Sequence, residues 1–359
     1  MNEVRRVVRI ATYVPAFSVE GRPTAGFDED AFTLGATAAE RVWSDRYDDQ
    51  GPILLHLIGE FPPAADWGFS AVLGREVAVV RHPPGSLELA KTLRELEAGE
   101  GGAALIVAAD GRAAVGESPS TKPSTEGAAA VAYLLEPAET TEPFPVGKGS
   151  ASRSAVAATL RTLEGGKGGG TSVTLVGDWQ GRPAGGRTLE LSPGTSPVDA
   201  GLGVVSEGAY VPRARYLENL PSRWRFLAET CGACHGTTFP ARGVCRRCGR
   251  KDSLTTIQLP LDGGRVVAIT TVGKGGQPTE FDRQVESSGP YDVALVELAR
   301  GVRVTLQVTD SVPGELRVGA RVNTLLRRLY PMEGEWRYGR KAVPAGTAPK
   351  TDGKAPPSA

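Results

Sequence analysis

All four cysteines of this 359-residue chain, Cys231, Cys234, Cys245 and Cys248, fall within eighteen consecutive positions as two C-x-x-C pairs, in TCGACHGTTFPARGVCRRCG. A disulfide framework usually spreads its cysteines along a small secreted chain, whereas these are crowded into one segment of a large one. A C-x-x-C turn presents two thiolates to one ion, and two such turns supply the four soft ligands that zinc takes at tetrahedral angles. Ten residues separate the pairs, enough for a short hairpin, and Gly232 and Gly249 suit backbone turned towards sulfur. Iron is a chemically admissible occupant, and free thiols or a redox disulfide are the metal-free alternatives. Zn2+ is the expected ion. With every ligand drawn from the protein it has no open position for water, so its expected role is structural.

The remaining sequence frames that segment. Basic and acidic residues number 41 each, which argues against bulk attraction to nucleic acid or to an anionic membrane. The opening MNEVRRVVRIATYVP lacks the apolar core of a secretory signal, and no stretch nears the roughly 20 apolar residues that cross a bilayer. These features predict a soluble cytoplasmic protein. Val7, Val8 and Ile10 open a strand; FDEDAF offers Asp28 and Asp30 as helix N-caps, and Phe32, Ala36, Ala39 and Trp43 follow at helical spacing. ILLHLI, AALIVAAD and GAAAVAYLLE read as buried strands, and SLELAKTLRELEAG as an amphipathic helix. Alternating strands and helices predict an α/β layer with both sheet faces covered.

A Pro/Thr/Gly-rich connection, a helix over about 153–164 and the run GGKGGGT come next, then SVTLVGDW and RTLELS as a hairpin. From 254 to 345 short alternating runs between Gly/Pro/Asp turns predict a small closed barrel, for which the OB-fold is the usual candidate. The expected organisation is an α/β domain over 1–192, a linker with a lead-in helix over 193–222, a zinc ribbon over 223–252, the barrel over 253–345 and a disordered tail over 346–359.

Arg242, Arg246, Arg247, Arg250 and Lys251 make the ribbon basic, and OB barrels commonly bind single strands. Such binders also need exposed aromatic stacking platforms; the barrel offers Phe281, Tyr291, Tyr330, Trp336 and Tyr338 in a chain of 6% aromatic content, which fits barrel-core aromatics equally well and leaves the choice open. GGKGGGT and GKGGQP lack the order of a phosphate loop and read as a linker and a barrel turn. Of the three histidines, His56 sits in a buried-strand run and His235 follows Cys234 directly, where it could cap the knuckle. No Ser/His/Asp or Cys/His constellation emerges from spacing.

The segment from about 210 to 343, carried by PSRWRFLAETCGACHGTTFPARGVCRRCG, GRVVAITTVGKG, GPYDVALVELARGVRVTLQVTD, LRVGARVNTLLRRL and WRYGRKAVP, resembles the zinc-ribbon plus OB-fold proteins associated with acyl-CoA enzymes. That resemblance implies a rubredoxin-like ribbon and a partner role beside thiolases, hydroxymethylglutaryl-CoA-synthase-like enzymes and lipid-transfer-type aldolases, bridging catalytic subunits and helping to hold an acyl-CoA thioester. The first 192 residues resemble a shortened, truncated thiolase-like domain of the hydroxymethylglutaryl-CoA synthase branch, on RIATYVP, DEDAFTLGATAAERV, STEGAAAVAYLLE and SVTLVGDWQGRPAGGRTLELS. Laid on that family's Cys-x-x-Gly pattern, HPPG puts His82 in the place of the nucleophilic cysteine and Gly85 on the glycine. Glu60 falls near the family's acid–base glutamate, and the segment that carries its catalytic histidine is absent. A Claisen enzyme of this class forms a thioester on a thiolate, which an imidazole between Arg81 and Pro83 does not replace.

The expectation is therefore a non-catalytic accessory subunit for a thiolase-superfamily enzyme, with acyl-CoA as bound ligand and Arg327 and Arg328 as candidates for its phosphates, because arginine forks match phosphate geometry. Two alternatives stand beside it. One is a trimmed synthase using His82 or Glu60 in non-covalent acyl-CoA chemistry; the other is a nucleic-acid module built on ribbon and barrel.

Overall fold

The computed structural model describes residues 4–19, 22–23, 25–43, 51–84, 86–99, 101–110, 128–138, 174–176, 189–190 and 211–345. The expected helix at 153–164, the GGKGGGT run, residues 193–210 and the tail lie outside these residues.

The apolar runs of the first part build one six-stranded sheet. β1 (Val4–Tyr13), β4 (Ile53–Ile58), β5 (Val77–His82), β6 (Ala104–Asp110), β7 (Ala129–Ala138) and β8 (Thr174–Val176) lie in the order β5-β4-β6-β7-β1-β8. β7 runs antiparallel to both neighbours, while β4–β5, β4–β6 and β1–β8 are parallel. Helices α1 (Ala31–Trp43) and α2 (Ala65–Leu73) cover one face; α3 (Ser86–Ala98) covers the other with Leu89, Leu93 and Leu96. This is the expected α/β layer.

Among the described residues, those of SVTLVGDW and RTLELS pair with other strands and not with each other, unlike the expected hairpin. The open edge of β1 takes Thr174–Val176 as a parallel neighbour, while β9 (Leu189–Glu190) pairs with β2 (Phe17–Val19) in a separate small sheet completed by β3 (Arg22–Pro23).

Two elements escape the periodicity argument, α2 and β5. In α2, Gly68 reads as a helix breaker, but the helix keeps it because the Phe32 ring of α1 lies against its backbone. A Cβ there would overlap that ring, and Phe32 is fully buried and cannot give way. Gly68→Ala should therefore lower stability by about 1–3 kcal/mol despite alanine's better helix propensity, read as a lower urea midpoint; an unchanged or raised midpoint would refute this packing.

The C-terminal part is a five-stranded barrel. β13 (Gly264–Val272), β14 (Tyr291–Glu297), β15 (Arg303–Gln307), β16 (Arg321–Met332) and β17 (Glu335–Pro344) are ordered β15-β14-β13-β16-β17, and a Val308–Ala342 bridge brings the two ends together. Its core holds Val266, Ala294, Val296, Val304, Leu306 and Val322. LTTIQL, expected in the barrel, instead supplies β12 (Leu254–Gln258) of a three-stranded sheet with β10 (Leu227–Cys231) and β11 (Thr237–Thr238).

Barrel and α/β unit share a core. Leu325, Leu326, Tyr338 and Val343 of the β16–β17 hairpin join the cluster formed by α1, α2 and the sheet, as do Tyr216, Leu220 and Trp224 of the short helices α4 (Arg213–Glu218) and α5 (Leu220–Trp224). Nearly every residue of α1 is buried, because it is sandwiched between sheet and barrel. Trp224 Nε1 and Tyr216 Oη both donate to the Tyr338 carbonyl, at 3.0 and 3.2 Å, and fasten the lead-in helices to β17.

Candidate functional site

Each cysteine pair is held by the same backbone pattern. The Cys231 amide donates to the Gly236 carbonyl at 3.0 Å and the Cys245 amide to that of Arg250 at 2.8 Å. The residue after each second cysteine turns back in the same way: His235 N donates to the Cys231 carbonyl and Gly249 N to that of Cys245. Both have left-handed backbone, at φ 56° and 75°, so His235 accepts a conformation that the second knuckle gives to a glycine. His235 is a turn residue; its expected capping role is met by its amide. The Glu229 carboxylate accepts the amides of Arg242 and Gly243, and Thr238 Oγ1 accepts that of Arg246, so β10 and β11 orient the second knuckle against the first.

These turns bring the four Sγ atoms within 4.8 Å of one another. Cys231 and Cys248 lie 3.7 Å apart and Cys234 and Cys245 3.6 Å apart, far beyond a disulfide bond. A tetrahedron with zinc–sulfur bonds of about 2.3 Å has edges of about 3.8 Å, so these separations fit one ion at the centre. Cys231 and Cys245 are buried and Cys248 is exposed. The thiols differ as proton donors. The Ser253 hydroxyl and the Cys234 amide lower Cys231 to about 6. At Cys248 the Arg250 amide pulls downward, but hydrogen bonding with the neighbouring thiols, Cys234 first, outweighs it and pushes it up to about 12. Four anions cannot crowd together unaided; a dication at the centre would make four thiolates compatible. The donor set therefore fits a tetrahedral metal ion.

The arginines expected to meet CoA phosphates are otherwise engaged. Arg327 is fully buried. Its Nη2 lies 3.0 Å from both Glu29 Oε1 and Asp310 Oδ2 and donates to Tyr13 Oη at 2.6 Å, while Nε stands 3.9 Å from Asp28. Lys341 Nζ pairs with Asp28 at 2.9 Å. Arg328 is half-buried, donates to the Phe27 carbonyl at 2.7 Å and lies over the Trp336 ring. Arg327 is thus closed to any solvent-borne phosphate, and both side chains serve the contact between α/β unit and barrel. Burial pushes the Glu29 carboxyl up to about 7 in spite of Arg327, whereas at Asp28 the two cations outweigh burial and lower it. Asp30 caps α1, its Oδ1 accepting from the Thr33 amide, and its Oδ2 accepts from Tyr338 Oη. Arg340 pairs with Glu40 of α1.

His82 ends β5 just before α3. Its Nε2 lies 2.8 Å from His56 Nδ1, its Nδ1 lies 3.2 Å from Glu88 Oε1, and the two imidazoles stack. Burial first, then His82, lowers His56 to about 4, so that ring is neutral near pH 7. Glu60 stands exposed beyond β4, next to Gly59, whose amide donates to the His82 carbonyl. Sequence spacing alone does not bring His56 and Glu88 to His82. Parallel pairing of β4 with β5 brings the two histidines together, and the six-residue step from His82 to Glu88 reaches the first turn of α3.

Residues 258–326 match the family model described as the C-terminal OB-fold domain of ChsH2. A DUF35 domain-containing scaffold protein of Methanocaldococcus jannaschii is 30% identical over 132 residues, covering 36% of this chain and 89% of that protein. Its counterpart in Methanothermobacter thermautotrophicus is 31% identical over 133 residues, covering 36% and 94%. Among solved structures, the Ltp2-ChsH2(DUF35) aldolase overlaps 38% of this chain and 98% of its own at 24% identity and TM-score 0.28. PksG, an HMG-CoA synthase from Bacillus subtilis, overlaps 45% and 52% at 14% identity and TM-score 0.30.

Proposed function

The chain belongs to the DUF35 family through its C-terminal third, and from that premise we propose that it is a non-catalytic accessory subunit of a thiolase-superfamily enzyme that helps to hold the partner's acyl-CoA substrate. The observation that carries the reading is the convergence of every thiol of the chain on one point. No cysteine is left to form an acyl-enzyme, and His82 stands where the resemblance puts the nucleophile. The family relatives are named scaffold proteins, and the shared core of α/β unit and barrel suits a rigid docking body. Cys231, Cys234, Cys245 and Cys248 would hold a zinc ion, which supplies cross-linking of the ribbon rather than chemistry, because all four positions are filled by protein. Among the described residues no helix is long and apolar enough to cross a membrane.

Two measurements test the reading together. Co-expressed with a thiolase-superfamily subunit from its own organism, the chain should co-elute with it. Purified alone, it should release no CoA from acetyl-CoA or acetoacetyl-CoA. Turnover by the isolated chain would overturn the proposal. It would favour the second reading, a trimmed enzyme, for which the His56–His82–Glu88 chain of contacts speaks; that turnover should then vanish in His82→Ala with folding intact.

A further inference from the structure

The ribbon carries a cationic tip that the fold itself does not use. Arg242, Arg246, Arg247, Arg250 and Lys251 are all exposed on the second knuckle and the turns that flank it. Only Arg247 finds an intramolecular acceptor, the Cys234 carbonyl at 3.4 Å. Among the described residues the side chains of the other four have neither an ion pair nor a hydrogen bond. The first knuckle, CGACHG, carries no Lys, Arg, Asp or Glu, so the charge is one-sided. Screening of the metal site does not account for it. A divalent ion in four thiolates carries two net negative charges, and Asp252 and the Glu229 carboxylate add one each; together they offset four of the five cations and leave a cationic surplus on the exposed side. Like charges crowded on a small rigid element repel one another unless a counter-charge arrives from outside.

Resting on the accessory-subunit reading, we propose that this tip is a docking surface for a carboxylate-rich face of a folded protein, the catalytic partner. Four of the five cations are arginines, whose planar forks take carboxylates in bidentate fashion. Nucleic acid fits less well. Aromatic stacking platforms are missing from the tip, since Phe239 packs edge-on against Phe226, which belongs to the barrel core. The chain as a whole is neutral, so it has no long-range field to gather a polyanion. A surplus confined to one rigid tip, held in register by the thiol cluster and by Glu229, suits recognition of a local acidic patch.

The test uses the 359-residue chain and the thiolase-superfamily subunit that co-elutes with it. Charge reversal at two exposed positions, Arg246→Glu with Arg250→Glu, should leave zinc content and the melting curve unchanged. It should weaken the complex by roughly tenfold or more, chiefly through a slower association rate, and flatten its dependence on salt. Poly-L-glutamate should compete with the wild-type complex and not with the variant. A complex that forms with unaltered affinity in the variant overturns this inference and leaves the accessory-subunit reading standing. Failure of any complex to form overturns both. Steep salt-dependent binding of oligo-dT by the chain, lost in the variant, would assign the tip to nucleic acid and overturn the protein-docking proposal.

Discussion

Cys231→Ser or Cys245→Ser is expected to abolish stoichiometric zinc binding and to unfold the ribbon, residues 227–258, with damage spreading into the barrel. The ribbon has almost no apolar core of its own: β11 is two residues long, and the cluster that receives Phe226 and Ala228 belongs to the barrel. A sheet that small does not stand without a cross-link. In such elements the free energy of metal binding, on the order of 10 kcal/mol at neutral pH, is in effect the folding free energy. Loss of the ribbon also strips Phe226, Ala228 and Leu259 from the barrel core, so the whole chain should melt earlier. Metal content by mass spectrometry should fall from one zinc to none, and hydrogen exchange should rise across β10 and β12. Cys248→Ser is the informative control. Its thiol is exposed, so water can take its place, and weakened rather than absent binding is expected. A Cys231→Ser protein that keeps its zinc and its exchange protection would show that the ribbon does not depend on this site. Finding iron in the native protein would keep the geometry and change the ion.

The four-cysteine cluster is legible because its signal is local: two short spacings place four sulfurs irrespective of what surrounds them. Helices α1 and α3 are legible for a related reason, since Phe32, Ala36 and Ala39, and Leu89, Leu93 and Leu96, repeat within one element. The joint between the domains is not local. Tyr13 and Arg327 meet across 314 positions, and Arg340 and Glu40 across 300. Nothing near LLRRLY says that one of its arginines faces buried carboxylates. A hint lies in the strand itself. Val322, Thr324, Leu325, Leu326 and Arg327 are buried in near succession, without the alternation of a strand that has one wet face. β16 is covered by the barrel on one side and by α1 on the other, so charges on it belong to a core. The same burial explains why Asp28, a plausible helix cap by sequence, holds Lys341 instead, and the capping falls to Asp30.

That joint gives the second large expectation. Arg327→Leu should destabilise the chain by about 3–5 kcal/mol, because it leaves Glu29, Asp28 and Asp310 buried with only Lys341 to balance them. Against a typical total of roughly 5–15 kcal/mol, that change separates a folded protein from a marginal one. The pH dependence carries the finer prediction. The Glu29 carboxyl is raised from 4.5 to about 7, first by burial, with Asp310 and Asp28 adding to the rise and Arg327 opposing it. Its folded value thus lies above its unfolded one, so the native state holds the proton more tightly. This group's contribution is fully present below pH 4.5, is lost as pH climbs to about 7 and is flat beyond. Across that window the slope approaches about 1.4 kcal/mol per pH unit for a single site. Asp310, also raised by burial, acts in the same direction, whereas Asp28, lowered overall, is lost only in stronger acid. Glu29→Gln keeps the shape and removes the titration. Urea midpoints measured from pH 5 to 8 should fall with pH in the wild type and fall much less in Glu29→Gln, the two curves drawing together towards pH 5. Parallel curves would mean that the proton is not held at Glu29. A small loss in Arg327→Leu would mean that the three carboxylates are already neutral, and that the joint is held by the packing of Phe32, Trp224 and Tyr338 rather than by charge.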